Sequence, residues 1–371
     1  MEAVLVGIGY VMIAATVIPL VRADAWWVRV FDFPRLQIAI VLVFVFAAYL
    51  LVREDPSAAD HVFLALLTIA AAYQAYRMYP YTPFCRKQVQ ASEAAAPERT
   101  ISLLISNVEM TNRNARVLRR LIDEHDPDVI LTVETDRWWA EALADLERAH
   151  PYVVRQVQDN TYGMLLHSRL ELSDVRIEFL VEDDIPSIHT KVKLRSGSEV
   201  ELHCLHPRPP APQESDRTTE RDAELLIVAK QLKDKDAKAI VAGDLNDVAW
   251  SRTNGLFQSI SGLLDPRVGR GFFHTFNANW PLIRFPLDHV FSSRHFRLVD
   301  FKRLAHCGSD HFPVFVRLVL EPDAKHEQEH PQATAEEKRE ADEKVEKATT
   351  DAKALGSPLH EQVRAIIHGL Q

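Results

Sequence analysis

Residues 3–21, "AVLVGIGYVMIAATVIPLV", carry no charged side chain. A helix of that length matches the hydrocarbon core of a bilayer, about 30 Å thick. Two more apolar runs follow: "LQIAIVLVFVFAAYLLV" at 36–52, and a weaker one at 62–79 that begins "VFLALLTIAAAYQAY". None has the polar face of an amphipathic soluble helix. Residues 1–80 are therefore expected to form a membrane region with three transmembrane helices near 3–21, 36–52 and 62–79. The "RMYPYTPF" cluster at 77–84 has the aromatic and Arg content of a membrane interface. Ala23-Asp24-Ala25 mimics a signal-peptidase site, but no Lys or Arg precedes the first run, which argues against a cleaved signal.

The flanking charge gives an orientation. The N-terminal tail and the second connection hold only Arg53, whereas the first connection and the segment after the third run hold Arg22, Arg29, Arg35, Arg77, Arg86 and Lys87. The positive-inside rule would leave the rest of the chain on the cytoplasmic side.

Beyond the membrane region the pattern changes. Residues 81–98 read as a linker. From 99 to 321, apolar strands alternate with helices: "ISLLIS" (101–106), "DVILTV" (128–133), "YGMLLHS" (162–168), "SIHTKVKL" (187–194), "EVELHCLH" (199–206), "AIVAG" (239–243), and strands near 286–292, 297–303 and 312–320. An Arg-rich helix is expected between the first two strands, and another over roughly 215–233. Strands mixed with helices and many hairpins predict a layered α/β sandwich, not a doubly wound parallel sheet. Residues 322–371 are charged and poor in large apolar side chains, so they are expected to be disordered or a solvated helix. A short amphipathic helix near 358–370 ends the tail; it is expected to dock on its own domain, with recruitment of an unidentified protein partner as the alternative.

Composition removes some classes. A net charge of −9 gives no general attraction to nucleic acid. Cys85, Cys204 and Cys307 are too few and too scattered for a disulfide framework or a zinc site.

The chemistry sits where strands end. "SNVE" places Asn107 and Glu109 after the first strand, and "VET" places Glu134 after the second. "GDLND" places Asp244, Asn246 and Asp247 after 239–243, while "PLDHVF" and "CGSDHFPV" place Asp288, Asp310 and His311 near the last strands. Rigid strands that deliver acids, amides and imidazoles to exposed ends are what a sheet-edge active site requires. Each motif alone is weak; the ordered set is not.

That order, over 99–321, resembles the endonuclease/exonuclease/phosphatase superfamily (DNase I-like), in its membrane-anchored bacterial form. The resemblance implies a four-layer α/β sandwich and metal-dependent hydrolysis of phosphate esters. It implies Glu134 as principal Mg²⁺ ligand (Mn²⁺ being the alternative), with Asn107, Glu109 and Asp310 around the metal. It gives Asp244 and Asn246 the attacking water and a phosphate oxygen, Asp288 and His311 an acid–imidazole dyad, and His206 a contact to the phosphate. Hard oxygen donors suit Mg²⁺, and an imidazole with its tautomer fixed by a carboxylate suits a base near neutral pH. One departure is Thr132-Val133 before Glu134, where the family usually has Gln directly before the acid.

Substrate is less constrained. Residues 99–321 carry a slight acidic excess, and the stretch between Asp247 and Asp288 leaves little room for DNA-gripping insertions. The segment 267–303 is locally basic with interleaved aromatics, which makes His274, Trp280 and Arg284 substrate-binding candidates. The expected function is a multi-pass, membrane-anchored, metal-dependent phosphoesterase of a bacterial inner membrane. Its substrate would be a phosphodiester, a lipid phosphate or a pyrophosphate. A nuclease acting on DNA or RNA, and a scaffold that keeps the fold without catalysis, are the alternatives. Similar membrane-anchored relatives linked to glycopeptide resistance hold the catalytic domain outside the cytoplasm, against the charge rule.

Overall fold

The computed structural model describes residues 1–92, 96–211 and 214–354. The chain begins with three long helices, α1 (Glu2–Val17), α2 (Arg35–Val52) and α3 (Ala58–Met78). All three are long and apolar enough to cross a membrane, and only 28% of each apolar window is buried within the protein. Gly9 of α1 allows close approach to α3, since a Cβ there would lie 2.4 Å from Phe63. A Ser57–Asp60 capping box starts α3, and Asp60 also accepts from Arg53 at 3.1 Å. At the opposite end of the bundle, buried Arg35 pairs with Asp32 and donates to Gln74 at 2.9 Å. Gln74 in turn donates to Thr16 at 3.0 Å, which links the ends of all three helices through one polar chain.

The rest is a sandwich. Its elements run β1 (Thr100–Asn107), α4 (Ala115–His125), β2 (Val129–Val133), α5 (Arg137–Ala142), β3 (Tyr152–Gln156), β4 (Met164–Ser168), β5 (Glu171–Glu178), β6 (Ser187–Lys193) and β7 (Glu199–Leu205). They continue with α6 (Thr219–Leu232), β8 (Ala239–Asp244), α7 (Arg252–Ser261), β9 (Asp288–Ser292), β10 (Phe296–Arg303), β11 (Val314–Leu320) and α8 (Ala335–Ala354). One sheet has the order β10-β11-β1-β2-β4-β3, the other β5-β6-β7-β8-β9. Period-two alternation explains the layers. Ile101, Leu103 and Ile105 meet Ile188, Leu202, Ile240 and Val290 of the other sheet in the central core. Leu104, Ile130 and Phe315 face outward onto α4 and α5, while Val241 and Phe291 face α6 and α7. The expected α/β sandwich preceded by three apolar helices is what forms.

Three expectations need correction. Residues 81–92 are not a free linker: Val89 is fully buried, and the Gln90–Ser92 segment pairs with Leu298 at 2.9 Å on the open edge of β10. The charged tail is not wholly solvated. Its helix α8 docks on α6 through Ala341, Val345 and Ala348, small side chains on one face that permit close packing. Its charges find partners: Lys344 is held between Asp24 and Asp222, each at 2.8 Å, and Arg252 meets Glu340 at 2.7 Å. The amphipathic stretch near 358–370 lies outside the described residues. Finally, the arginines behind the charge rule are in use as packing groups. Arg35 is buried, Arg29 donates to Pro19 at 3.2 Å, Arg77 donates to Trp250, and Arg22 pairs with Glu336 at 3.0 Å. The count therefore reports packing against the sandwich as much as orientation.

The edge strands β3 and β5 and helix α7 escaped the sequence pattern. β5 is polar, mostly exposed and broken by an irregularity between Ser173 and Arg176, so its alternation is hidden. α7 has only a local signature, an N-cap in which Ser251 accepts from Asn254, and Gly262 in the left-handed region at its end.

The bundle and sandwich meet along one seam. Tyr81 donates to Ala249 at 2.6 Å and Trp250 donates to Asp32 at 2.7 Å. Phe33, Leu36 and Met78 pack with Val248, Trp250 and Phe285. This seam includes the loop directly after β8, which carries the Gly-Asp-Leu-Asn-Asp motif.

Candidate active site

Strand register alone assembles the site in two halves. β1 and β2 are parallel with Asn107 opposite Val133, so Glu134 emerges beside Asn107. β7 and β8 are parallel with Leu205 opposite Gly243, which sets His206 beside Asp244. β8 and β9 are antiparallel with Asp244 opposite Asp288. The halves join through the Asn107 amide, which donates to Glu134 at 2.7 Å and to Asp244 at 3.0 Å. Glu109, Glu134 and Asn246 all have positive φ, at 54°, 61° and 51°. Such backbone is uncommon for these residue types, and here it turns the chain sharply as each strand ends.

The 308–311 turn closes over this cluster. Ser309 donates its hydroxyl to the Asn107 carbonyl at 2.8 Å and accepts from the His311 amide at 3.0 Å. His311 Nδ1 lies 2.8 Å from Asp288 Oδ2, and its Nε2 lies 3.5 Å from Asp244 Oδ2. Burial opposes charge on this ring, but Asp288 and Asp244 outweigh it and lift its pKa to about 10. The two carboxylates thereby favour the charged form of the ring. His206 is the opposite case: burial pushes it down to about 4, with its Nε2 3.8 Å from Asp244. Burial also raises Glu134 to about 7, with the Asp244 charge adding to the effect.

The structure brings Asn107, Glu134, His206, Asp244, Asp288 and His311 into one buried cluster. Asn246 sits at its rim, with its backbone N–H on Asp244 at 3.0 Å and its side-chain amide on Pro207 at 3.0 Å. Glu109 and Asp310 form a neighbouring pair: the Glu109 carboxylate accepts from the Asp310 amide at 3.0 Å. Burial raises the Asp310 carboxyl, and Glu109 adds to that.

The substrate candidates fare unevenly. His274 contacts the Arg284 carbonyl and packs against Trp250 and Phe272, so it supports the loop from beneath. Arg284 lies over the Phe312 ring at 4.9 Å, next to the Asp310–His311 pair. Trp280 is exposed further out. The basic segment as a whole does not face the site, since Arg267 is buried on Asp265 and Arg297 pairs with Glu321 and Glu327. Three further contributors appear, of which only Phe276 lay among the aromatics that the sequence offered for substrate. Phe276 lies against His311 at 5.0 Å between ring centroids, Tyr162 lies 5.5 Å from His206, and Thr275 accepts from the Asp288 amide at 3.1 Å. Lone aromatic and hydroxyl residues in loops carry no sequence signal for such roles.

A divalent cation suits this donor set. Asp244, Asp288 and His311 each bring one ligand atom within 4.8 Å of the others, and one Asp288 oxygen has no hydrogen-bond partner among the described residues. With His311 already bonded to Asp288, the Glu134 carboxylate is the better-placed anchor. It is half-buried, raised in pKa and close to a second carboxylate, which is the environment a hard cation relieves.

Acid, amide and imidazole groups gathered at the ends of two facing sheets are the arrangement of the DNase I-like class of phosphoester hydrolases. The chain belongs to the endonuclease/exonuclease/phosphatase family, whose model matches residues 105–311. No curated protein sequence matches it. Among solved structures, the human nocturnin catalytic domain with bound sulfate is 16% identical, with 60% of this chain and 96% of that one covered and a TM-score of 0.50. D. rerio TDP2 with a single-strand DNA product is 18% identical, with coverage of 59% and 98% and a TM-score of 0.49. A mannosyl-6-phosphatase of Bacteroides thetaiotaomicron is 20% identical, with coverage of 59% and 100% and a TM-score of 0.45. At these identities the likeness concerns the fold.

Proposed function

We propose that the protein is a membrane-anchored, divalent-metal-dependent phosphoesterase acting on a phosphate ester carried at the bilayer surface, a lipid phosphate or pyrophosphate. The observation that carries this reading is the Asn107 amide bridging Glu134 and Asp244, which unites both sheets into one site beside His311. Glu134, with Asn107 next to it and Glu109 and Asp310 nearby, would hold Mg²⁺. Once bound, the ion neutralises charge on a phosphoryl oxygen.

The other roles follow from geometry. Asp288 occupies Nδ1 of His311, so Nε2 points into the site and the imidazolium donates to a phosphate oxygen or to the developing negative charge. Asp244, within reach of both His311 and Asn107, orients the attacking water and receives its proton. Asn246 gives one amide hydrogen to Pro207 and keeps the other for a phosphate oxygen. His206, neutral and buried, closes the far wall against Tyr162.

The bilayer enters because the site stands on the seam with the apolar helices. Phe276 touches His311, Phe285 pairs with Phe276, and Phe285 meets Phe33 at the start of α2 at 5.5 Å. Product release by the full chain in nanodiscs tests this, read as inorganic phosphate, p-nitrophenol or nucleotide according to the substrate. The substrates are a polyprenyl diphosphate, phosphatidic acid, bis-p-nitrophenyl phosphate and an oligonucleotide, with and without Mg²⁺. Mg²⁺-dependent release that His311→Ala abolishes is expected, with lipid substrates preferred. Preference for the oligonucleotide, with binding that falls steeply with salt, would move the assignment to a nuclease.

A further inference from the structure

We propose that residues 276–285 form a hairpin that enters the membrane interface beside the three apolar helices, so that the bilayer itself, anionic headgroups preferred, is docked against the mouth of the active site. The inference rests on the reading of those helices as membrane-spanning.

The hairpin is held at both ends. At its base Phe276 and Phe285 pair backbone to backbone, Asn277 N–H donates to the Ile283 carbonyl at 3.2 Å, and Ala278 N–H donates to the Asp310 carbonyl at 2.6 Å. At its tip Gln37, in the first turn of α2, donates to the Leu282 carbonyl at 3.0 Å. The tip therefore lies level with the end of an apolar helix, where a bilayer's headgroup region would begin.

Its side chains suit that level. Trp280 is 65% exposed, Leu282 85% and Ile283 52%, three large apolar groups in succession around Pro281. A water-facing loop has no use for such a cluster, whereas Trp with aliphatic neighbours is what interfaces select. Trp27 and Tyr79, both about half exposed at the same end of the bundle, extend the belt. Behind the tip, Arg284 and Arg303 lie over the Phe312 ring at 4.9 and 4.3 Å, and neither has a carboxylate partner among the described residues. They donate to backbone carbonyls, Arg284 to Asn277 and Ala278 and Arg303 to His274, so their charge is not neutralised; two such guanidiniums behind an apolar tip match lipid phosphates above acyl chains. The same hairpin carries Phe276 onto His311, so insertion would place the site's opening at headgroup depth.

The test uses the full chain in nanodiscs of phosphatidylcholine and phosphatidylglycerol with brominated acyl chains. Trp280 emission is obtained as the difference between wild type and Trp280→Phe. Quenched, blue-shifted Trp280 emission is expected; emission as unquenched as in detergent-free water overturns the proposal. A second measurement compares Trp280→Ser/Leu282→Ser/Ile283→Ser with wild type on bilayer-borne phosphatidic acid and on water-soluble bis-p-nitrophenyl phosphate. The ratio of the two rates should fall at least about ten-fold. Equal loss on both esters would assign these residues to the fold of the site and sink the idea. A wild-type chain that cleaves neither ester while Trp280 is quenched would remove the catalytic reading and sustain the hairpin.

Discussion

Replacing Asp288 by Asn is the sharpest probe of how His311 works. The change keeps the shape of a side chain that is 2% exposed, and removes the strongest of three carboxylates lifting the ring. Opposite charges about 4 Å apart at an effective dielectric near 20 interact by about 4 kcal/mol. At about 1.4 kcal/mol per unit, and after partial relaxation, His311 should fall by roughly two to three units. It would move from about 10 to near neutrality, with Asp244 and Asp310 as the remaining anions. If the imidazolium stabilises the transition state, the variant loses about 10²–10³ in rate where the ring is neutral. Initial rates on bis-p-nitrophenyl phosphate at saturating Mg²⁺, from mildly acidic to mildly alkaline pH, give the answer. Wild type should show no inflection from His311 in that range. The variant should lose activity as pH rises through about neutral. A variant whose rate instead climbs with pH through the same range would refute the cationic role and restore a neutral base. The raised pKa also stabilises the fold: that contribution is complete below the unfolded value near 6.5 and is lost as pH rises through about 10.

Glu134→Gln should abolish turnover and weaken Mg²⁺ binding at least about ten-fold by titration calorimetry. The same variant should raise metal-free stability at pH 8 by on the order of 2 kcal/mol, because burial penalises the carboxylate that it removes. Lys344→Ala removes the cation shared by Asp24 and Asp222, leaving Lys347 on the first and Arg221 on the second, which should cost about 2 kcal/mol in thermal unfolding. In wild type, Asp222 is held low because Lys344 and Arg221 outweigh its burial, so that stability is present near neutral pH and lost on acidification below about pH 4. Gly243→Ala should prevent folding of the β8 end, since φ is 149° and a Cβ would lie 1.9 Å from the Leu205 carbonyl oxygen; expression and circular dichroism would show it.

Much of the site was legible because it depends on local order. A strand that ends in Asn107, Glu134 or Asp244 delivers that side chain to the sheet edge whatever its partners, and the pairing registers then bring them together. The three apolar helices were legible because the absence of charge is a one-dimensional property. What the chain could not announce was contact between distant segments. Val89 on the edge of β10, Ala341 and Val345 on α6, and Phe276 on His311 are ordinary residues until the fold sets them against a partner. The same holds for charge: His311 is a generic imidazole in sequence, and only the fold sets it beside Asp288 and Asp244, whose charges raise its pKa against the effect of burial. Sequence by itself determined which groups stand at strand ends and which segments avoid water, because both follow from local periodicity and hydropathy. The tertiary structure decided how those groups are protonated and what the apolar hairpin faces, because electrostatics and burial depend on neighbours that the chain brings from far away.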